Sequence, residues 1–216
     1  MPLSERSQRC LQILKAANCS KVAFQLVYLA LCAGIVDNQS ALQCVEFFAG
    51  QGAVSLALQD RGWATAQFDS DAGPSTQDML TIDGFVNAIA LILRLQPGGL
   101  VWFGIVCSSW VWLCRGSTRR STVNPSGNTT LPCVWIGNVM TSRVMLLYEI
   151  ASKLGHVVIL EQPTSSLMHM YHDFQGMLDA VHVWRCRVCL GFFGGETEKP
   201  IFLCSGLLPY PPPCLG

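Results

Sequence analysis

Charge is scarce in this chain. Only 13% of its 216 residues are charged, and 14 basic side chains are balanced by 14 acidic ones. A protein that grips nucleic acid through a general electrostatic field carries a surplus of Lys and Arg. That mode of binding is excluded, and contact with a polynucleotide has to be local. Long apolar runs are missing as well. The stretch that comes nearest, residues 22–36, is broken by Gln25, is shorter than a membrane span and starts too deep for an ordinary signal peptide. It reads as a helix lying against the core, and no membrane partner is expected. Histidine is sparse, with 4 in the chain, and the CxxC of Cys186 and Cys189 lacks a second pair or a histidine cluster, so no metal is expected. The 11 cysteines are odd in number and unevenly spaced, several within apolar runs where a thiol serves as a small hydrophobe. Such usage suits a reduced, intracellular compartment, nucleus or cytoplasm. No internal repeat is present.

What is present is apolar side chain enough for one substantial core: half of the residues are hydrophobic, and the length suits a single domain. Short apolar runs alternate with helical patterns, the order of an α/β domain. Strands are expected over 43–48, 64–68, 100–106, 156–160, 183–189 and 200–204, and helices over 53–61, 82–95, 139–154 and 174–181. Pro97-Gly98-Gly99 is expected to terminate the second of these helices. Runs 100–106 and 156–160 are almost wholly apolar, as in strands buried on both faces of a parallel sheet. Residues 108–132 form a long polar loop, and loops of that length in a compact domain are functional or disordered. Residues 1–40 read as an N-terminal helical extension, 41–208 as the α/β domain and 209–216 as a loose Pro-rich tail.

In an open parallel sheet, ligands bind beyond the carboxyl ends of the strands. The first strand delivers Phe48-Ala49-Gly50-Gln51-Gly52 to the mouth of a helix. Glycines there let bare backbone approach a ligand. Ser55 stands where a dinucleotide fingerprint has its third glycine, so the turn suits an adenosine-containing ligand without a pyrophosphate better than NAD. The second strand ends in Asp69, placed to accept from ribose hydroxyls, with Asp71 beside it, and Asp78 could accept from an adenine amino group. Either Asp69 or Asp78 could equally be a turn or helix-capping residue. Later strands end at Cys107 and Glu161, and Arg115, Arg119 and Arg120 follow the cysteine. Singly, these fit a core thiol, a loop carboxylate and a solvated loop face; Arg115 could also hold the loop through backbone carbonyls. Their order along the chain is the stronger signal.

That order resembles the C5-cytosine DNA methyltransferases, in particular a divergent dinoflagellate-type group. Phe47-Phe48-Ala49-Gly50-Gln51-Gly52 is similar to the family's first motif, Asp69 to its ribose-binding acid and Asp78 to its adenine-side acid. Cys107 falls at the family's Pro-Cys nucleophile, with Val106 in place of the proline, and Glu161-Gln162-Pro163 at its Glu-Asn motif, with Gln162 in place of the asparagine. Cys107-Ser108-Ser109-Trp110, Arg120-Ser121, Glu161-Gln162-Pro163-Thr164-Ser165-Ser166 and a late segment over 193–200 carry the resemblance to the divergent group. Arg185-Cys186-Arg187 resembles the family's substrate-clamping Arg-x-Arg. The resemblance implies a Rossmann-like sheet, mostly parallel with helices on both faces, that binds S-adenosyl-L-methionine through Phe48, Ala49, Gly50, Gly52, Asp69 and Asp78. It also implies Cys107 as nucleophile, Glu161 as partner of the base's N3, and Arg187 as a cation near the thiol.

The chemistry explains those residue types. Carbon 5 of cytosine is a poor nucleophile towards a sulfonium methyl, but thiolate addition at carbon 6, with a carboxylic acid at N3, makes it enamine-like. A thiol needs a cationic neighbour to ionise usefully near neutral pH. A base inside a duplex is out of reach, so the expected partner is DNA or another nucleic acid with the base flipped out or single-stranded. The stretch after Glu161 leaves no room for a target-recognition domain, so duplex recognition is expected to require a partner protein or a C-terminal portion missing from this sequence. Two alternatives stand beside this reading. One is a catalytically degenerate binding module; the other is a methyltransferase for a small molecule or protein.

Overall fold

The computed structural model describes residues 3–34, 41–71, 75–189, 191 and 200–206. Helix α1 (Glu5–Ala16) is capped by Ser4 and helix α2 (Lys21–Cys32) by Ser20, each serine oxygen accepting a first-turn N–H. Ser20 is held in turn by Glu149, whose carboxylate accepts from its N–H at 2.6 Å and its hydroxyl at 2.9 Å. Helix α2 is the apolar stretch expected against the core, and Ala23, Val27, Ala30 and Leu31 are buried there. Among the described residues no helix is long and apolar enough to cross a membrane.

Strands β1 (Leu42–Phe47), β2 (Thr65–Phe68), β3 (Leu95–Phe103), β4 (Val157–Pro163), β5 (Trp184–Cys189) and β6 (Pro200–Ser205) form one sheet in the order β2-β1-β3-β4-β6-β5. The first four in that order run parallel, and β6 is antiparallel to both of its neighbours. The α/β expectation holds, with a sheet that is mostly parallel and antiparallel at one side. Helix α3 (Ala53–Gln59) carries the chain from β1 out to β2, and α4 (Ile82–Leu93) brings it back past β1 to β3. Beyond β3 come a short helix α5 (Arg115–Thr118), the long α6 (Pro132–Lys153) and, after β4, α7 (His172–Ala180). The direction of winding reverses between β1 and β3, and in open α/β sheets ligands bind beyond the carboxyl ends of the strands at such a point.

One face of the sheet carries Val45, Phe47, Val101, Phe103, Val158 and Leu160, all fully buried. Helices α4 and α6 pack on these strands, and α2 packs on both helices. Phe47 anchors the centre, stacked on Phe103 at 4.9 Å and tilted against Phe68 at 5.3 Å. The opposite face carries Glu46, Trp102 and Ile159 at one level, and α3 packs on β1 and β2.

Several boundaries differ from expectation: β3 ends at Phe103 rather than at 106, and β4 runs through Glu161 to Pro163 rather than ending at 160. Pro97-Gly98-Gly99 does not end a helix; α4 already stops at Leu93, and the three residues lie in an irregularity of β3. There the register jumps from Leu42 opposite Leu95 to Cys44 opposite Leu100, and Gly98 takes φ +75°. Helix α6 begins at Pro132, well before residue 139, because proline at the first helical position presets φ and gives up only an N–H that would lack a helical partner anyway. Strand β5 places Cys186 and Cys189 on opposite faces, so the CxxC cannot close on one ion without leaving the strand. Most of the motif segment 193–200 and the tail 209–216 lie outside the described residues.

Candidate active site

The turn after β1 is built from left-handed backbone. Phe48, Gly50 and Gly52 have φ of +58°, +53° and +68°. Phe48 is held in this costly region by donating its N–H to the Phe68 carbonyl at 2.8 Å. No atom lies within 4 Å of the point where a Cβ on Gly50 would stand, so its backbone is open to a ligand. The Gly50 N–H donates to Asp69 Oδ2 at 2.8 Å, while Asp69 Oδ1 accepts from the Asp71 N–H at 2.9 Å. Asp69 therefore ties the end of β2 to the glycine turn. Ala49 closes the turn by accepting from the Gly52 N–H at 2.7 Å. Asp78 Oδ1 accepts from the Leu80 N–H at 2.8 Å, a local turn bond.

A residue absent from the sequence reasoning stands behind this turn. Glu46 is only 4% exposed, and its two oxygens accept from the N–H groups of Val54 at 3.3 Å and Ser55 at 2.7 Å. A buried carboxylate thus occupies the positive end of α3. A phosphate arriving there would meet that charge; a neutral or cationic group would not. The one available signal was a lone acid inside an apolar strand, on the face that α3 covers.

Cys107 lies in the loop after β3, whereas Glu161, expected where a strand ends, sits inside β4 opposite Leu203, and the loop after β4 is knitted to the Cys107 loop. Gly104 continues the β1–β3 pairing by donating to the Phe47 carbonyl at 3.0 Å, so the chain towards Cys107 departs beside the glycine turn. Gln162, 5% exposed, donates its amide to the Ile105 carbonyl at 3.2 Å and accepts from Ser166 Oγ at 2.9 Å. Leu167 N–H donates to the Trp110 carbonyl at 2.9 Å, and Trp112 N–H to the Ser165 carbonyl at 3.1 Å. Cys107 itself accepts at its carbonyl from Trp110 N–H at 2.9 Å, turning the loop sharply, and both Cys107 and Glu161 are half-buried.

The rest of the loop hangs on Arg120. This guanidinium is buried, donates to the Pro125 and Val134 carbonyls, Asn138 Oδ1 and Ser109 Oγ, and lies 3.4 Å from the Trp110 ring centre. Burial pushes it down to about 10, which leaves it protonated at neutral pH. Gly137 on α6 makes room: a Cβ there would stand 2.5 Å from Ser109 Oγ. Arg120, not Arg115, is therefore the arginine that holds the loop through carbonyls. Arg115 is exposed and stacks 3.5 Å from the ring centre of the equally exposed Trp112.

Arg187 is placed differently. Across the antiparallel strands it shares a level with Phe202 and Gln162, whereas Glu161 shares one with Leu203 and Cys186. Paired residues project to one face and successive residues alternate, so Arg187 and Glu161 project from opposite faces of the sheet. Net charge also conceals a local imbalance. Residues 84–148 contain five arginines and no Asp or Glu, a stretch that includes the whole loop after Cys107. No family model matches the chain, and no curated protein matches it.

Proposed function

We propose that this chain is an S-adenosyl-L-methionine-dependent methyltransferase with a Rossmann-like methyltransferase fold, acting on a cytosine base in a single-stranded or flipped-out polynucleotide. The observation that carries the reading is the knitting of the Cys107 loop to the end of β4, which carries Glu161, and to the loop that follows it, beside the carboxyl ends of β1 and β3. The cofactor fits the groups at the glycine turn. Gly50 leaves backbone unobstructed, Asp69 and Asp78 retain acceptor capacity for hydroxyl and amino donors, and Glu46 fills the helix end that a pyrophosphate would need. When bound, the cofactor supplies an electrophilic methyl group. Cys107 would add as thiolate to carbon 6 of the base while Glu161 hydrogen-bonds N3, raising electron density at carbon 5. After methylation, loss of the carbon-5 proton and expulsion of the Cys107 thiolate regenerate the enzyme. The exposed Trp112 and Trp135 and the exposed Arg115 and Arg119 of the acid-free loop favour stacking and phosphate contacts with an unpaired strand.

Calorimetric titration with S-adenosyl-L-methionine on the native chain and on Asp69→Ala tests the cofactor site. Binding that weakens at least tenfold in the variant is expected, and no heat with well-folded protein retires the enzyme. A 5-fluorocytosine oligonucleotide tests the nucleophile. A covalent adduct is expected with the native chain and none with Cys107→Ala, whose cofactor affinity stays within about twofold. Cofactor binding without an adduct would redirect the reading to a small-molecule or protein substrate.

A further inference from the structure

At the opposite end of the sheet from Cys107, α1, the start of β3 and the entry to β4 enclose a cavity of about 390 Å³, within the range of small-molecule sites. Ile13, Leu93, Leu95 and Leu154 give it apolar walls. Arg6, Arg9 and His156 also line it, and among the described residues no Asp or Glu does. Arg6 uses one donor on the Leu93 carbonyl at 2.9 Å and keeps the others. Arg9 is in no ion pair; among the described residues the one such pair is His172 with Asp173. Cys10 lies in the same wall, and the positive charge of Arg6 and Arg9 opposes the upward push of burial on its thiol. His156 is 4% exposed, and its Nδ1 is buried without a hydrogen-bond partner. A buried polar atom left unpaired costs about 1–3 kcal/mol, so such atoms call for an explanation.

We propose that this cavity is a second ligand site, one that takes a small amphipathic anion. Arg6 and Arg9 hold its oxyanion head, a carboxylate or a phosphate monoester, and Ile13, Leu93 and Leu154 receive its apolar body, which carries a polar atom to His156. The planar fork of arginine matches either head in two parallel hydrogen bonds. Two guanidiniums that no acid of the described residues pairs with, at the mouth of an apolar cavity, select a charge on a greasy body over a neutral molecule or a free ion. The site is separate from the Cys107 loop and does not rest on the methyltransferase reading.

Titration calorimetry on the full chain with octanoate, octyl phosphate, 1-octanol and inorganic phosphate tests it. One equivalent of octanoate or octyl phosphate is expected to bind, and the tighter of the two assigns the head. Octanol and inorganic phosphate are expected to bind at least tenfold more weakly than that ligand. Arg6→Gln and Arg9→Gln replace exposed side chains, so the fold survives, and each is expected to lower its affinity at least tenfold. The site is overturned by an absence of saturable heat with folded protein, by affinities unchanged in both variants, or by octanol binding as tightly as octanoate.

Discussion

The two ends of this sheet use their polar side chains in opposite ways. At the carboxyl end Asp69, Gln162 and Arg120 each bond to backbone of a loop that follows a strand, and Glu46 to the first turn of α3. At the amino end, among the described residues, Arg9 makes no ion pair and His156 Nδ1 no hydrogen bond, around an open cavity. The difference teaches what each end is built for. Loops pinned by buried hydrogen bonds hold reactive groups in a fixed geometry before a substrate arrives. Donors left over in an apolar cavity hold nothing of the protein's own.

The comparison breaks most visibly at Trp110. Its ring is fully buried between Arg120 and Tyr171 and joins the Cys107 loop to the core. Trp110→Ala is expected to cost about 3–5 kcal/mol, read from the shift of the urea midpoint. A loss under about 1 kcal/mol would mean that the carboxyl-end loops stand outside the cooperative fold.

At the amino end the corresponding effect is a response to acid. Burial pushes His156 down to about 4, whereas an unfolded histidine titrates near 6.5. Unfolding therefore takes up a proton between those values. Stability is full above about pH 6.5 and declines as pH falls towards 4, by roughly 3 kcal/mol from this one group. Urea unfolding of the native chain and of His156→Leu at pH 7.5 and 4.5 isolates it, because carboxylates contribute equally to both proteins. Parallel losses in the two proteins would show that His156 reaches water as readily in the folded state.

A smaller change is expected at Glu46. Glu46→Gln keeps the shape but turns one oxygen into a donor facing the Val54 or Ser55 N–H, at a cost of about 1–3 kcal/mol. Cofactor affinity should fall with it, because the same bonds hold the glycine turn against α3. Normal affinity in a destabilised Glu46→Gln would separate the turn from the cofactor.

Why some of this was legible in the sequence and some was not follows from where each signal resides. The apolar runs that became β1, β3 and β4 and the glycines that shape the first turn are local features, and local features survive reading in one dimension. The start of β3 was missed because Pro97-Gly98-Gly99 punctuates a helix and a strand irregularity alike, and only pairing with β1 decides between them. Arg120 reads as one more arginine in a polar loop, since charged residues are seldom buried; its role exists only once α6 and Trp110 close around it. Glu46 was hidden by its apolar neighbours. The amino-end cavity draws Arg6, Arg9 and His156 from segments far apart in the chain, and no spacing links them.

The finest test of the comparison is a matched pair of glycines, one at each end. Gly50 has φ +53° in the candidate cofactor turn and Gly98 has φ +75° in the irregularity of β3, and at both an added Cβ would meet nothing within 4 Å. Alanine at either position therefore carries the same cost, the backbone strain of a left-handed L-residue, about 1 kcal/mol. What differs is the space the methyl enters. On Gly50 it stands where an adenosine ligand would approach the bare backbone, so Gly50→Ala should weaken S-adenosyl-L-methionine binding by tenfold or more while Gly98→Ala leaves it within twofold. Urea midpoints shifted alike, with affinities that differ, would locate ligand recognition at the carboxyl end. Affinities equally affected, or equally untouched, would leave the glycine turn as a piece of chain geometry with no ligand of its own.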